Sequence, residues 1–352
     1  MLGGGEHSFF DLLSNLSPQW RVLAVVPGEG ELAARLKENA VETRILALPA
    51  IRPWNVVQML AALKAYLLLL RDFRPSLIYA NGSRVALYGG LLGRILRIPT
   101  IWHCRVAQGD PYLDPFLVRL STGIVANSQA TARRFSPRFQ TKVSMIHNGV
   151  DINWLRDKNV RLPDMIQEEW KVILTVARVS KWKRHDLVLS AFEQVAASEP
   201  LAHLVFLGAK DVSEPGWWEY LQEMTRRSPF SPRVHWLGQV KDVRSWYRVA
   251  DMMVLASENE PFGRVIVEAM ACGVSVVACR SGGVPEVVRD GLDGLLASPG
   301  SDHEIAEAMI KILNDHNFSE QLARSAIERA ELFSLDSHVA KMMQIFENSL
   351  IR

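Results

Sequence analysis

Two glutamates eight residues apart, Glu260 and Glu268, carry the densest chemistry in the chain. They belong to the strings Glu260-Pro261-Phe262-Gly263-Arg264 and Glu268-Ala269-Met270-Ala271-Cys272-Gly273. Gly263 permits close backbone approach at a helix entrance. Free N–H groups there, added to the helix dipole, suit a diphosphate. Glu268, one turn into that helix, is placed to accept from a ribose hydroxyl pair. Glu260, in the loop before it, is placed to contact a sugar. The structural alternative pairs Glu268 with Arg264 at i,i+4 and leaves Glu260 as a residue before a proline. Arg178 and Lys183 form a second group, five residues apart on one loop. A guanidinium fork and an ammonium point charge can both face a diphosphate and stabilise a departing nucleotide. The alternative is a solvated basic loop, since Lys181 and Arg184 are charged as well. His103 is the third candidate, at the end of an apolar run.

These side chains need a scaffold that delivers them to one end of a sheet. Short β-branched runs alternate with longer helical runs, which predicts βαβ units and parallel sheets. The predicted strands of the first half are 21–26, 45–48, 77–80, 100–103, 123–127 and 143–147. Those of the second half are 172–176, 203–207, 234–237, 252–255 and 274–278. The fold class expected is α/β, with two doubly wound, Rossmann-like domains facing across a cleft. His103, Arg178, Gly208 and Glu260 all then fall just after strands, where such sheets place ligands. Residues 153–169 are polar and irregular and read as a linker between a domain at 1–152 and one at 170–334. A glycine-rich turn, Gly3-Gly4-Gly5-Glu6, opens the chain where a strand would be expected to come first. The first strand of the N-terminal domain is therefore read as missing: either translation begins upstream of Met1, or the domain does without the strand, in which case the first domain should be less stable.

The string around Glu260 and Glu268 resembles the E-x7-E signature of retaining glycosyltransferases of family 4, which have the GT-B fold. Ser281-Gly282-Gly283-Val284-Pro285-Glu286, Asn148-Gly149-Val150-Asp151, Asn127-Ser128 and Gly4-Gly5-Glu6 are similar to further strings of that family. The resemblance implies transfer of a sugar from a nucleotide-diphosphate donor to an acceptor, with retained configuration. It implies that Arg178 and Lys183 hold the diphosphate, with Glu260 and His103 beside the sugar. Phe262, Gly263, Arg264 and Glu268 would bind the donor, helped by Gly4, Gly5 and Gly208. Gly238-Gln239-Val240 resembles the loop that holds the base through main-chain groups. Residues 335–352 would be the final helix that crosses back to the first domain. Arg184 departs from the pattern, where glycine is more usual, and adds a charge that could tighten phosphate binding or reach an acceptor. Two other readings stay open: a nucleotide-sugar epimerase of the same fold, and a non-catalytic nucleotide-sugar-binding protein.

No D-x-D stands at a strand end, so no metal and no cofactor are expected beyond the donor substrate, UDP- or GDP-linked. Three cysteines, Cys104, Cys272 and Cys279, lack the number and spacing of a disulfide framework or zinc site. The composition, 48% hydrophobic and 22% charged, is that of a globular protein with ample core for two domains. No apolar run reaches the length of a membrane span, and no opening segment reads as a signal peptide. A cytoplasmic protein is expected. Residues 1–150 hold 17 Lys+Arg against 9 Asp+Glu, while the remainder is net acidic. That asymmetry suggests an anionic partner for the first half; the alternative is scattered solubilising arginines. A lipid-linked or glycan acceptor and peripheral contact with the inner face of the cell membrane both fit, and no nucleic acid is expected.

Overall fold

The computed structural model describes residues 3–50 and 52–351. The chain falls into two compact units, residues 1–149 with 335–352, and residues 150–334.

The first unit begins with α1 (Gly4–Ser14), β1 (Leu23–Val26), α2 (Glu31–Glu38), β2 (Glu42–Ile45), α3 (Val56–Phe73) and β3 (Ile78–Asn81). It continues with α4 (Ser83–Leu96), β4 (Thr100–Cys104), α5 (Leu113–Leu120), β5 (Gly123–Ala126), α6 (Gln129–Ala132) and β6 (Val143–Met145). All pairings are parallel, but the strands form two sheets, β1-β2 and β3-β4-β5-β6. Among the described residues no strand precedes α1, and β1 and β3 each pair on one side only. β2 lies three residues earlier than the expected strand at 45–48. Its side chains are half-buried or exposed, so apolar content misplaces it; the apolar Leu46 and Leu48 instead pack beside α3.

The second unit holds α7 (Ile152–Arg156), β7 (Lys171–Val176), α8 (His185–Ser198), β8 (Ala202–Leu207), α9 (Pro215–Arg227) and β9 (Val234–Gly238). After these come α10 (Arg244–Tyr247), β10 (Met252–Leu255), α11 (Arg264–Ala271), β11 (Ser275–Cys279), α12 (Val284–Val287) and β12 (Leu295–Ala297). α13 (Asp302–Asn314) and α14 (His316–Ala330) complete it. The six strands make one parallel sheet in the order β12-β11-β10-β7-β8-β9. Alternate residues feed two cores. Leu174, Val205, Met253 and Val276 lie in one, and Ile173, Leu204, Val254 and Val277 in the other. Both faces are covered, so these strands read as continuous apolar runs. The polar stretch expected as a linker clusters with this unit. Arg156 ties it down, donating to the Ala271 carbonyl at 3.0 Å and pairing with Glu331 at 2.5 Å.

The last helix, α15 (Leu335–Leu350), belongs to the first unit. Leu335, Val339, Met342 and Phe346 pack on Ile101 of β4, Val125 of β5 and Leu12 of α1. His103 lies two residues from Ile101 and so on the same face of the sheet.

Candidate active site

In the second unit the strand order reverses between β7 and β10, because β8 lies on one side of β7 and β10 on the other. Open parallel sheets bind ligands beyond the carboxyl ends of strands at such a point. The loop after β7 carries Arg178 and Lys183, and the loop after β10 carries Glu260. Lys183 Nζ sits 2.6 Å from Glu260 Oε2, with both side chains largely buried. The ammonium also lies 3.9 Å from the centre of the Trp182 ring. The two loops are joined again by the Glu258 N–H, which donates to the Trp182 carbonyl at 2.7 Å. Residues that are 77 apart in sequence are thus held at contact by backbone as well as charge.

A third loop, after β11, locks Glu260 from behind. The Gly283 N–H donates to the Glu260 carbonyl at 2.7 Å, and the Asn259 N–H to Ser281 Oγ at 2.5 Å. Gly282 has φ +59°, and a β-carbon there would lie 2.1 Å from the Glu260 carbonyl oxygen. No side chain fits. The loop after β8 completes the ring: Arg178 reaches Asp211 at 3.5 Å and stays half-exposed. Gly208, with φ +145°, crosses so close to Ala177 that a β-carbon would sit 1.9 Å from its carbonyl oxygen. Its glycine is accounted for by this contact between loops.

Gly263 is the N-cap of α11, in the left-handed region at φ +84°. The backbone N–H groups of the first turn of α11 are of the kind that binds anions. Phe262 turns inward and packs edge-on to Phe333, ring centres 5.7 Å apart. Its expected part in donor binding therefore reduces to its backbone. Glu268 accepts from Arg264 Nε at 2.8 Å and from the Tyr247 hydroxyl at 3.2 Å. The i,i+4 pair weighed as the structural alternative is formed, and Tyr247 adds a second donor that sequence spacing did not reveal. Burial and the Glu268 carboxylate hold the Tyr247 phenol well above its ordinary value, so it remains a donor. Two donors fix the carboxylate and leave acceptor capacity on it. Val240 lies in the loop after β9, partly buried against the core.

Arg184 is not a spare charge. It forks onto Asp186, at 2.9 Å from Nη2, and pairs with Glu258. Its backbone is left-handed at φ 50°, the conformation for which glycine is the easier residue. The expectation that it tightens phosphate binding gives way to a role in holding the two loops together.

The first unit positions His103 at the end of β4, fully buried. Its Nδ1 is 2.6 Å from the Tyr79 hydroxyl and 3.2 Å from Arg105 Nη2. Arginine only donates, and burial holds the Tyr79 phenol above its ordinary value. Nδ1 therefore accepts, and the ring proton belongs on Nε2. That atom is buried without a hydrogen-bond partner among the described residues. Burial, then the Arg105 and His338 charges, push the imidazole well below its usual range, so it is neutral. Arg105 is fixed by Asn81 at 2.7 Å and by Asn148. Sequence reasoning misses Arg105, Tyr79 and Asn148 as site residues, although Arg105 stands two residues from His103 and Asn148 opens one of the family-like strings.

Gly4 and Gly5 form the first turn of α1 rather than a loop, with Gly3 as N-cap. Glu6 folds back to accept from the Gly3 N–H at 2.7 Å, and the Gly5 carbonyl accepts from Asn81 at 3.1 Å.

Solved structures share the fold. Anabaena Alr3699/HepE, crystallised with UDP and glucose, superposes with TM-score 0.85 over 98% of this chain and 96% of its own, at 23% identity. A Rickettsia africae glycosyltransferase gives TM-score 0.85 at 17% identity, over 99% of this chain and 96% of its own. Both show the fold to be GT-B, two Rossmann-like domains. Among curated sequences, N-acetyl-alpha-D-glucosaminyl L-malate synthase of Bacillus anthracis is 34% identical over 68% of this chain and 63% of its own. D-inositol 3-phosphate glycosyltransferase 2 of Catenulispora acidiphila is 30% identical over 59% of this chain and 51% of its own. The chain thus spans about half to three-fifths of the length of these curated relatives. The family model for Glycosyltransferase Family 4 matches residues 2–154, and that for Glycosyl transferases group 1 matches residues 161–329. With both halves matched by the two models of one enzyme type, the chain belongs to the group 1, family 4 glycosyltransferases.

Proposed function

We propose that this protein transfers a sugar from a nucleotide-diphosphate donor to a glycan or lipid-linked acceptor, with retained configuration, in the synthesis of surface polysaccharide or glycolipid. The Lys183–Glu260 contact at the switch point of the second sheet carries the reading. A buried ammonium, with the N-terminus of α11 following on the Glu260 loop, is preorganised for phosphate charge that grows as the nucleotide leaves. Arg178, half-exposed on the same loop, adds a fork for the phosphate oxygens. Glu268 takes the ribose. His103 offers its Nε2 proton to a sugar oxygen. UDP is the nucleotide to try first, being the one crystallised with the Anabaena neighbour.

Glu260 is a poor nucleophile while Lys183 holds its carboxylate. A same-face displacement is therefore preferred. The bond from the sugar's anomeric carbon to the diphosphate breaks, giving oxocarbenium character. The acceptor oxygen bonds to that carbon, and its proton passes to the leaving phosphate oxygen. Lys183, Arg178 and the α11 N-terminus neutralise the leaving group, so the chemistry is proposed to need no metal. Activity in the presence of a chelator checks that point.

The decisive experiment is calorimetric titration with UDP, GDP, ADP and CMP, using wild type, Lys183→Met and Lys183→Met/Glu260→Gln. Removing Lys183 alone leaves a buried carboxylate uncompensated and should cost about 3–5 kcal/mol of stability. The double variant restores neutrality and should fold well. It should still bind nucleotide about 10- to 100-fold more weakly, the worth of a charge-assisted hydrogen bond. Full affinity in the double variant overturns the site. NMR of the product anomer checks retention, and an inverted product overturns the mechanism. Donor rearranged without acceptor would instead favour the epimerase reading.

A further inference from the structure

α3 has two apolar faces, and only one of them is covered. Ala62, Tyr66 and Leu70, spaced four apart, are buried against β3 and α4. On the opposite side Val57, Leu60, Lys64, Leu68 and Arg71 follow one another at three- and four-residue steps, a single helical stripe. Val57 is 78% exposed, Leu60 62% and Leu68 56%, and Trp54, in the turn leading into the helix, is 72% exposed. Scattered exposed apolar residues need no explanation, but three on one stripe of a helix, with an exposed tryptophan in the turn before it, mark an interaction surface.

Charge decides what it meets. From residue 43 to residue 109 the chain carries nine Lys+Arg and a single acidic residue, Asp72. Lys64 and Arg71 interrupt the apolar stripe itself, both are exposed, and neither has a carboxylate within ion-pair distance among the described residues. A tryptophan at one end, aliphatic side chains along the stripe and long cations that can snorkel outward suit the boundary between lipid headgroups and acyl chains.

We propose that this face of α3 seats the first unit on an anionic lipid bilayer, with Trp54, Val57, Leu60 and Leu68 entering the interface and Lys64 and Arg71 on lipid phosphates. The inference rests on the proposed lipid-linked acceptor for its purpose, and on α3 itself for its grounds. A docked first unit would bring soluble donor to acceptors confined to the membrane.

The test is co-sedimentation of the full chain with phosphatidylcholine vesicles, with and without phosphatidylglycerol. Wild type should partition onto the anionic vesicles at least about tenfold more strongly, as expected from two or more cations at the surface. Val57→Ser/Leu60→Ser should lose binding at every salt concentration. Lys64→Gln/Arg71→Gln should lose the preference for phosphatidylglycerol, and salt should weaken wild type toward that variant. Equal binding to both vesicle types, no binding, or variants that bind like wild type would each overturn the proposal. So would sedimentation velocity showing a wild-type dimer that Val57→Ser/Leu60→Ser dissociates, which would make the stripe a protein interface. Nucleotide titration of the same samples separates this result from the donor site, because these substitutions lie in the first unit and should leave nucleotide affinity unchanged.

Discussion

At the scale of single residues, the second unit spends charge in closed pairs and keeps its buried imidazole neutral. Lys183 is bound to Glu260, and Arg184 to Asp186 and Glu258. Beside them His185 is buried among Phe206 and Trp236. Burial, and then the Lys183 charge, push its imidazole down to about 4. The folded form therefore refuses a proton that the unfolded chain takes up below its ordinary value. The stability this represents is complete above about pH 6.5 and is lost as pH falls toward 4. By pH 5 the loss from His185 alone should be about 2 kcal/mol. Urea unfolding at pH 7 and pH 5 measures it, and His185→Gln should flatten the dependence; an unchanged slope would mean that the ring is protonated in the folded state. His103 follows the same logic in the first unit. A neutral donor there makes no demand for a histidine titration in the activity profile near neutral pH.

At the scale of elements, the positions of the strands were legible because parallel strands covered on both faces are apolar along their whole length. β10 falls where the apolar run Met252–Leu255 places it, and β7, β8 and β11 lie within one residue of their expected bounds. β2 was misplaced and β12 escaped, the first because three of its four residues, Glu42, Thr43 and Arg44, are polar or charged, the second because it is three residues long. At the site, residues after strands could be ordered by position, but which partners they take depends on loops far apart in sequence. Spacing alone could not bring Lys183 to Glu260, Tyr247 to Glu268 or Tyr79 to His103. Glycines divide similarly. Gly282 has no room for a methyl group, and Gly282→Ala should cost more than about 2 kcal/mol and displace Glu260. A methyl group on Gly4 would meet nothing within 4 Å, and the residue lies in a helix. Gly4→Ala should be neutral or stabilise by about 0.5–1 kcal/mol. Thermal unfolding of the two variants checks the contrast. A stable Gly4→Ala protein with lost nucleotide affinity would return Gly4 to the donor site.

At the scale of the whole molecule, the two units are built to different standards. The second has one six-stranded sheet between two large cores, and the first has two sheets and several smaller cores. Unfolding should accordingly occur in two steps, the first unit melting before the second. Nucleotide at 100 times its dissociation constant should raise the second step by about 2.7 kcal/mol and leave the first in place. Scanning calorimetry with and without UDP reads both, and a single transition shifted as a whole would refute the two-step picture. The division of the first unit's strands into two sheets also bears on how the protein can be kept. Among the described residues β1 and β3 each pair with a strand on one side only, and Val25, Val26, Ile78 and Tyr79 are of types that favour strand pairing. When the weaker unit opens, Leu23–Val26 and Ile78–Asn81 become templates for edge-to-edge addition between molecules. Storage life would then be set by how often that unit breathes and by protein concentration, so warm, concentrated solutions should lose material to aggregates while the second unit is still folded.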